Sequence, residues 1–543
     1  VTVSVAFLGG LGEVGRNCAV LEVEGRLALI DCGLMFPEED MLGIDLVMPN
    51  FSSVFERAGD VECVVLTHGH EDHIGALSYF LSEVNVPVYG TPLAVGLARA
   101  RVEENGIDAD FRPIELGQKV ESGPMKFQLI GVSHSIPQGA AVAFDTPEGI
   151  VLHSGDFKLD PTPIDAKPTD LPAFADLGRR GVRLLMADST NAERPGFIPS
   201  ESSLRSSLYE LVVEAKGRVV AACFASHLHR VEQMVTAVVD TGRSFAFLGR
   251  SMHRNTTIAR ELGIMDLPED RLFDIEDLLK LPPKETAIIC TGSQGEPFAA
   301  LSLMAAGEHR WVKLAPDDTV IISATPIPGN ETKVSRVING LLKAGVTVHH
   351  GRNANVHVSG HAAQEELKTF LNVVRPQAMI PVHGEYRHLR AHVELAGAMG
   401  VAQVVLAENG DRVVLDGEAT HHEPSYVDGS YVYLDGSGIG DIADDVLRSR
   451  RLLADDGVVV VTVGIDRRTG EILVGPDLDS HGLTQAPGAV LRTAKAEITK
   501  ELEALAKPCD TDTVRRHLRD TARRVIRRET ERRPVVVPVV VEV

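Results

Sequence analysis

Val61-Glu62-Cys63-Val64-Val65-Leu66, running directly into Thr67-His68-Gly69-His70-Glu71-Asp72-His73, decides how this chain is read. The first half is an apolar run of strand length and predicts a buried strand. The second half packs three imidazoles and two carboxylates into six positions. A loop leaving a rigid strand is itself held in place, so its side chains can grip a metal. Neutral imidazole and carboxylate are the ligands that zinc and its first-row neighbours prefer. His68, His70, Asp72 and His73 exceed the three protein ligands of a usual catalytic zinc, so the segment predicts two metals. The competing reading, a solvated polar loop, is disfavoured by the strand before it.

Working outward, 543 residues exceed one domain and predict three or four. An apolar content of 44% with 49 glycines and 29 prolines describes a globular chain rich in turns. No apolar run is long enough to span a bilayer, and Val1-Thr2-Val3-Ser4-Val5 reads as a strand rather than a signal peptide. Six scattered cysteines without a CxxC pair read as reduced thiols, so the expectation is a cytoplasmic protein with no membrane contact. A net charge of −22 argues against loose nucleic-acid binding. It leaves room for a focused RNA channel, because two divalent metals would concentrate about four positive charges at one point.

Up to about residue 200 short apolar strands dominate, among them Val3 to Leu8, Leu27 to Asp31, Lys126 to Val132 and Ile150 to His153, with few helices, one from Gly75 to Glu83. From Ser200 the rhythm becomes helix then strand, as in Ser202 to Ala215, Arg218 to Phe224, Arg230 to Asp240 and Ser244 to Phe247. That pattern predicts a parallel α/β domain. Near His361 the first rhythm returns with strands Ala378 to Val382 and Gln403 to Ala407. Past Gly436 a helix, a hairpin turning at Arg467-Arg468-Thr469-Gly470, two helices and a strand from Val535 predict a small α+β domain. Its second helix carries seven arginines between Arg515 and Arg528, read either as a solvated face paired with local acids or as an RNA or subunit contact. The expected division is 1–200 and 361–436 for one interrupted domain, 201–360 for the insertion, 437–447 for a linker and 448–543 for the last domain.

Two adjacent metals need a bridging carboxylate and further ligands. His134, Asp156 and His383 each follow a predicted strand, the position held by the first cluster. That repeated placement singles them out, since a lone histidine is more often structural.

HGHEDH, a later single histidine, Ser154-Gly155-Asp156-Phe157-Lys158 and Pro381-Val382-His383-Gly384-Glu385 together resemble the metallo-β-lactamase superfamily. The insertion after Ser200 resembles the β-CASP subgroup, whose members process nucleic acids. Gly9-Gly10-Leu11-Gly12-Glu13-Val14-Gly15-Arg16-Asn17, Ala187-Asp188-Ser189-Thr190-Asn191, Thr291-Gly292-Ser293-Gln294-Gly295-Glu296-Pro297 and His357-Val358-Ser359-Gly360-His361 are similar to the bacterial ribonuclease J family, over essentially the whole chain. The implied fold is α/β: a metallo-β-lactamase αββα sandwich interrupted by a β-CASP parallel α/β domain, plus a small α+β C-terminal domain.

The resemblance implies that His68, His70 and His134 hold one Zn²⁺, Asp72, His73 and His383 a second, and Asp156 bridges them. Mn²⁺ or Mg²⁺ can stand in for zinc. Asp31 is implied to orient a ligand. His361 is implied as general acid with Asp188 orienting its ring, the alternative for His361 being a hydrogen-bonding role without proton transfer. Ser226, His227, His229, His357, Ser359, Gly360 and His361 would grip a 5′-monophosphate, the alternative being that Ser226 and His227 only cap a helix. The implied function is RNA phosphodiester hydrolysis by a metal-bridging hydroxide, 5′→3′ from 5′-monophosphate ends and internally, in rRNA processing and mRNA decay. RNA, a homodimer or homotetramer and an RNA-degradation complex are the implied partners. Two rival readings share the motifs: a hydrolase of small thioesters or lactams, which leaves the insertion unexplained, and a non-catalytic scaffold, which leaves the complete ligand set unexplained.

Overall fold

Apolar runs such as Val61–Val65 form strands covered on both faces, which is why they lack the alternation of a half-exposed sheet. The computed structural model describes residues 3–327, 329–436, 438–440, 442–469, 471–505 and 509–543. One sheet has eight strands in the order Ala419–Glu423, Arg412–Asp416, Val3–Gly9, Cys18–Val23, Arg26–Ile30, Val61–Val65, Val88–Gly90, Phe111–Pro113. A second has seven, in the order Gln403–Val404, Ala378–Val382, Val182–Asp188, Gly149–His153, Ala140–Thr146, Met125–Gly131, Lys119–Ser122.

The two sheets face each other through Phe7, Leu21, Ile30 and Val65 on one side and Phe127, Val142, Met186 and Ile380 on the other. Helices Leu77–Glu83 and Pro92–Glu104 cover the outer face of the first sheet with Phe80, Leu93 and Leu97. Helices Leu171–Arg180, Gln364–Val374 and Tyr386–Ala398 cover the second with Phe174, Phe370 and Leu395. The result is the expected αββα sandwich, and each such buried aliphatic or aromatic side chain contributes about 1.5–3 kcal/mol.

Parallel pairing sets where the chemistry lies. Val182–Asp188 runs parallel to Gly149–His153 on one side and to Ala378–Val382 on the other, and Arg26–Ile30 runs parallel to Val61–Val65. The residues immediately following these strands therefore leave the sandwich at one edge.

The insertion forms a five-stranded parallel sheet in the order Ser244–Leu248, Thr286–Cys290, Val219–Ala222, Thr319–Ile322, Thr347–His350. Helices Arg205–Glu214 and Leu228–Asp240 pack on one face through Leu208, Val231 and Met234. Helices Ala300–Ala305 and Glu331–Lys343 pack on the other through Leu301 and Leu341.

Compactness divides the chain into two units, 1–36 with 46–432, and 37–45 with 433–543. The second has its own core, in which Val459 and Val461 meet Leu518 and Ile526. Its sheet runs Ile472–His481, Val458–Ile465, Val535–Glu542 beneath helices Gly488–Glu503 and Thr511–Thr530. On the arginine-rich helix Thr511–Thr530, Arg515 pairs with Asp512, Arg519 with Asp520, and Arg524 and Arg528 with Glu497.

Several elements differ from expectation. The helix expected from Gly75 begins at Glu71, stops at Ile74 and resumes as Leu77–Glu83. Pro92–Glu104, Leu171–Arg180 and Arg250–Glu261 are helices that periodicity did not reveal. Gln403–Val404 is shorter than the expected strand, and the hairpin's second strand, expected from Glu471 to Val474, runs Ile472–His481. Helix Asp444–Asp456 opens inside the expected linker 437–447. Val1, Thr2 and Gly470, in the predicted first strand and hairpin turn, lie outside the described residues.

Candidate metal centre

Each expected ligand leaves the end of a sandwich strand or the short helix beside it. His68 and His70 follow Val61–Val65, and Asp72 and His73 lie on the single turn Glu71–Ile74. Asp156 follows Gly149–His153, and His383 directly follows Ala378–Val382. His134 comes three residues after Met125–Gly131 ends.

These seven residues meet in two groups that share one member. Ligand atoms of His68, His70, His134 and Asp156 lie within 4.8 Å of one another, and so do those of Asp72, His73, Asp156 and His383. Asp156 Oδ2 is 3.7 Å from His68 Nε2, 3.8 Å from His134 Nε2, 3.2 Å from His73 Nε2 and 3.4 Å from His383 Nε2. Asp156 Oδ1 is buried and has no hydrogen-bond partner. An orphaned carboxylate oxygen there is costly unless a cation satisfies it, so the donor set fits metal.

The outward face of each ring fixes its inward one. His68 Nδ1 is 3.0 Å from Thr67 Oγ1, His73 Nδ1 is 2.7 Å from Asp31 Oδ2, His134 Nδ1 is 2.8 Å from the Gly360 carbonyl, and His383 Nδ1 is 2.9 Å from Asn17 Oδ1. All four turn Nε2 toward Asp156. His70 is reversed: its Nδ1 faces His68 Nε2 at 3.0 Å, and its Nε2 lies 3.4 Å from Ser135 Oγ. Asp31 also accepts from the Thr67 amide at 2.7 Å and its hydroxyl at 2.8 Å, so one carboxylate braces the root of the loop.

Burial and the crowding of neighbouring imidazoles hold His68 well below the usual histidine range and push His70 and His134 down to about 3, which keeps these rings neutral. Burial also opposes charge on His73, but Asp156, Asp72 and Asp31 overcome it and raise its proton affinity. The same three carboxylates would favour a divalent cation on this side. Burial works against ionisation of Asp156 as well, yet His383, His73 and His68 hold it well below the carboxylate range.

Beside the cluster, His361 Nδ1 is 2.8 Å from Asp188 Oδ2. Asp188 Oδ1 accepts from the amide and hydroxyl of Thr190, both at 2.9 Å, which fixes the carboxylate. Burial disfavours a charged His361, but the charge and hydrogen bond of Asp188 override it and push the ring up to about 9. The His361 ring stacks on His383 with centroids 5.4 Å apart, so the pair borders the ligands directly.

Of the residues expected to hold a 5′-phosphate, His227, His229 and His357 lie near a buried ion pair in which Arg230 Nη2 is 2.7 Å from Glu201 Oε1. His227 Nε2, His229 Nδ1 and His357 Nδ1 are buried there without hydrogen-bond partners. His227 Nδ1 also accepts from the Arg230 amide at 3.3 Å, so the helix-capping alternative holds for that nitrogen. Ser359 Oγ accepts from Asn191 Nδ2 at 2.9 Å and from the His361 amide at 3.2 Å, and Gly360 carries the carbonyl that orients His134. Ser226, half-buried, lies on the turn before helix Leu228–Asp240. Gln294 of the Thr291 to Pro297 segment is turned away into its own domain, accepting from the Ile327 amide at 2.7 Å.

Sequence reasoning passed over four contributors: Asn17, Thr67, the Arg230–Glu201 pair, and Glu366, whose buried carboxylate accepts from the amides of Leu159, Ile198 and Ala363. Asn17 closes the quoted Gly9 to Asn17 segment, so a signal for it existed. Thr67 likewise opens the quoted histidine-rich stretch, whereas the Arg230–Glu201 pair and Glu366 act through contacts with residues far off in sequence.

Family models match along the chain: the metallo-beta-lactamase superfamily over residues 11–209, the ribonuclease J beta-CASP domain over 216–341, a Zn-dependent metallo-hydrolase RNA specificity domain over 345–406, and the ribonuclease J C-terminal domain over 445–543. Among curated proteins, Ribonuclease J of Mycobacterium tuberculosis is 42% identical, covering 99% of this chain and 97% of its own. Ribonuclease J 1 of Streptococcus pyogenes is 39% identical, with coverage of 99% and 97%. Ribonuclease J2 of Bacillus subtilis is 36% identical over 100% of this chain and 99% of its own. A crystal structure of an Enterococcus faecalis protein of unknown function shares the fold, with a TM-score of 0.54 at 17% identity, covering 76% of this chain and 100% of that one.

Proposed function

The chain belongs to the ribonuclease J family, and from that premise we propose that it is a metal-dependent ribonuclease hydrolysing RNA both from 5′-monophosphate ends and internally. The observation that carries this reading is the pair of ligand groups sharing Asp156, with the Asp188–His361 dyad at their edge.

His68, His70 and His134 would hold one ion, Asp72, His73 and His383 the other, and Asp156 both. Bound there, the metals supply positive charge that activates a water and steadies the phosphate oxygens. The chain's own residues do the rest. Asp188 fixes the His361 ring and favours its protonated form, so His361 can deliver a proton from Nε2 to the departing 3′-oxygen. His227 and His357, near Arg230, would together with Ser359 seat a terminal phosphate. The unbonded nitrogens of His227 and His357 support this role.

A cytoplasmic location belongs to the same reading, supported by Cys18, Cys32, Cys63, Cys223 and Cys290, buried thiols outside any disulfide. No helix among the described residues is long and apolar enough to cross a membrane. Zinc as the metal, two ions per chain, and assembly into a homodimer or homotetramer complete the proposal.

The test is decay of one RNA carrying a 5′-monophosphate or a 5′-triphosphate, beside its circular form, with Zn²⁺ or Mn²⁺ supplied. Faster loss of the monophosphorylated RNA together with cleavage of the circle is expected. Equal rates on the two linear RNAs would remove the 5′-end reading, an intact circle would remove the internal one, and no hydrolysis of any would remove both.

A further inference from the structure

Asn17 stands where the two ligand groups are told apart. Its Oδ1 lies 2.9 Å from His383 Nδ1. Its Nδ2 donates to the Asp72 carbonyl at 3.1 Å, reaches Asp72 Oδ2 at 3.4 Å, and lies 3.1 Å from His73 Nε2. The Asn17 backbone amide donates to the same Asp72 carbonyl at 3.0 Å. One residue thus touches Asp72, His73 and His383, the three unshared members of one group. Among the described residues, no hydrogen bond joins it to His68, His70 or His134.

The surroundings are built to hold that amide still. Arg16, fully buried with φ at 57°, pairs with Glu13 at 2.9 Å and donates to the carbonyls of Ser430 at 2.8 Å and Gly429 at 3.2 Å. Such a left-handed non-glycine residue persists only where its surroundings over-determine it. Gly10, with φ at 88°, leaves the space Asn17 uses: a Cβ there would meet Asn17 Oδ1 at 2.5 Å. His383 is itself left-handed, at 54°, and its amide donates to the Gly10 carbonyl at 2.9 Å. The Gly9 to Asn17 segment therefore grips His383 by backbone and side chain together.

We infer that Asn17 is a positioning residue for the Asp72–His73–His383 metal alone, setting the affinity of that ion independently of the one held by His68, His70 and His134. This rests on the two-metal reading above. Outer contacts of this kind typically set metal affinity by 10–100-fold. An acceptor on His383 Nδ1 fixes the tautomer that presents Nε2, and a donor on the Asp72 carbonyl holds the turn from which Asp72 and His73 project.

The full chain, stripped of metal, would be titrated with Zn²⁺ against a competing chelator, and the same done for Asn17→Ala, Asn17→Ser, His383→Ala and Asn17→Ala/His383→Ala. The expected result is two equivalents in the wild type and, in both Asn17 variants, one equivalent weakened 10–100-fold with the other unchanged. The retained equivalent also reports that the protein has folded. Asn17→Ala should add little to His383→Ala in the double variant, because both act on one ion. Unchanged affinities, equal weakening of both equivalents in Asn17→Ser, or full additivity with His383→Ala overturns the assignment while leaving two metals standing. A wild type that binds a single equivalent overturns the two-metal reading and the assignment with it.

Discussion

Glu366 shows how much one side chain can organise. It is fully buried, and its two oxygens accept from Leu159, Ile198 and Ala363, which follow Asp156, Asp188 and His361 in the chain. Glu366→Ala strands three amides; at roughly 1–3 kcal/mol for each unsatisfied donor, partly relieved by entering water, a loss of about 3 kcal/mol in urea unfolding is expected. Asp188 acts on protonation instead. If His361 is the general acid proposed above, it must carry its proton, so turnover is expected to fall as pH rises through its pKa. That pKa stands at about 9 because Asp188 outweighs burial, and bound dications would draw the limb lower. Asp188→Asn removes the carboxylate, lowers the pKa and moves the alkaline limb of kcat toward acid, with kcat down by roughly 10²–10⁴. A limb that stays in place assigns the proton to another group. Both residues are polar and short of local context. Asp188 could be found from its motif, whereas nothing near Glu366 in the sequence distinguishes it from a surface acid at a helix start.

Elements were legible where burial leaves a one-dimensional trace. Ala378–Val382, flanked by neighbours and covered on both faces, is an apolar run and could be read to the residue. Helix Pro92–Glu104 could not: Leu93, Ala94, Val95, Leu97, Ala98 and Val102 are buried, so its apolar positions form no single stripe. Arg250–Glu261 escaped for the opposite reason, being polar along most of its length. Helix Gln364–Val374 shows an element serving the site from behind. Phe370 meets Phe157, the residue after Asp156, at 4.5 Å between ring centroids, and Phe174 at 4.9 Å. Phe370→Ala is expected to cost about 3–5 kcal/mol in chemical denaturation and to loosen the backbone that carries Asp156. A cost under about 1 kcal/mol would mean that the sheet and helix collapse into the space.

At the scale of the whole molecule, two units with separate cores share one chain, and every expected metal ligand lies in the first. Ligand binding stabilises only the cooperative unit that binds. Calorimetry is therefore expected to resolve two transitions, of which chelation lowers one and leaves the other in place. A chelator that shifts both equally would mean that the chain unfolds as one unit. The architecture was legible at this scale because three kinds of rhythm follow one another in the sequence. The segment 37–45 was not, since it belongs with residues more than 380 positions away and carries no periodicity of its own.

His383 leaves the strand next to the one that ends at Asp188, yet 195 residues of chain separate them, with a whole domain in between. A ribosome adding about 5–20 residues per second needs roughly 10–40 s to cross that gap. Throughout that time the emerging chain holds His68, His70, His134 and Asp156 without the residue that completes the second group, and without His361 for most of it. On the proposed function, an enzyme that cuts RNA is thus made on an RNA template with its last expected ligand delivered late. Chains released before residue 383 should leave RNA intact, which a nuclease assay on products truncated at residues 375 and 436 would read directly.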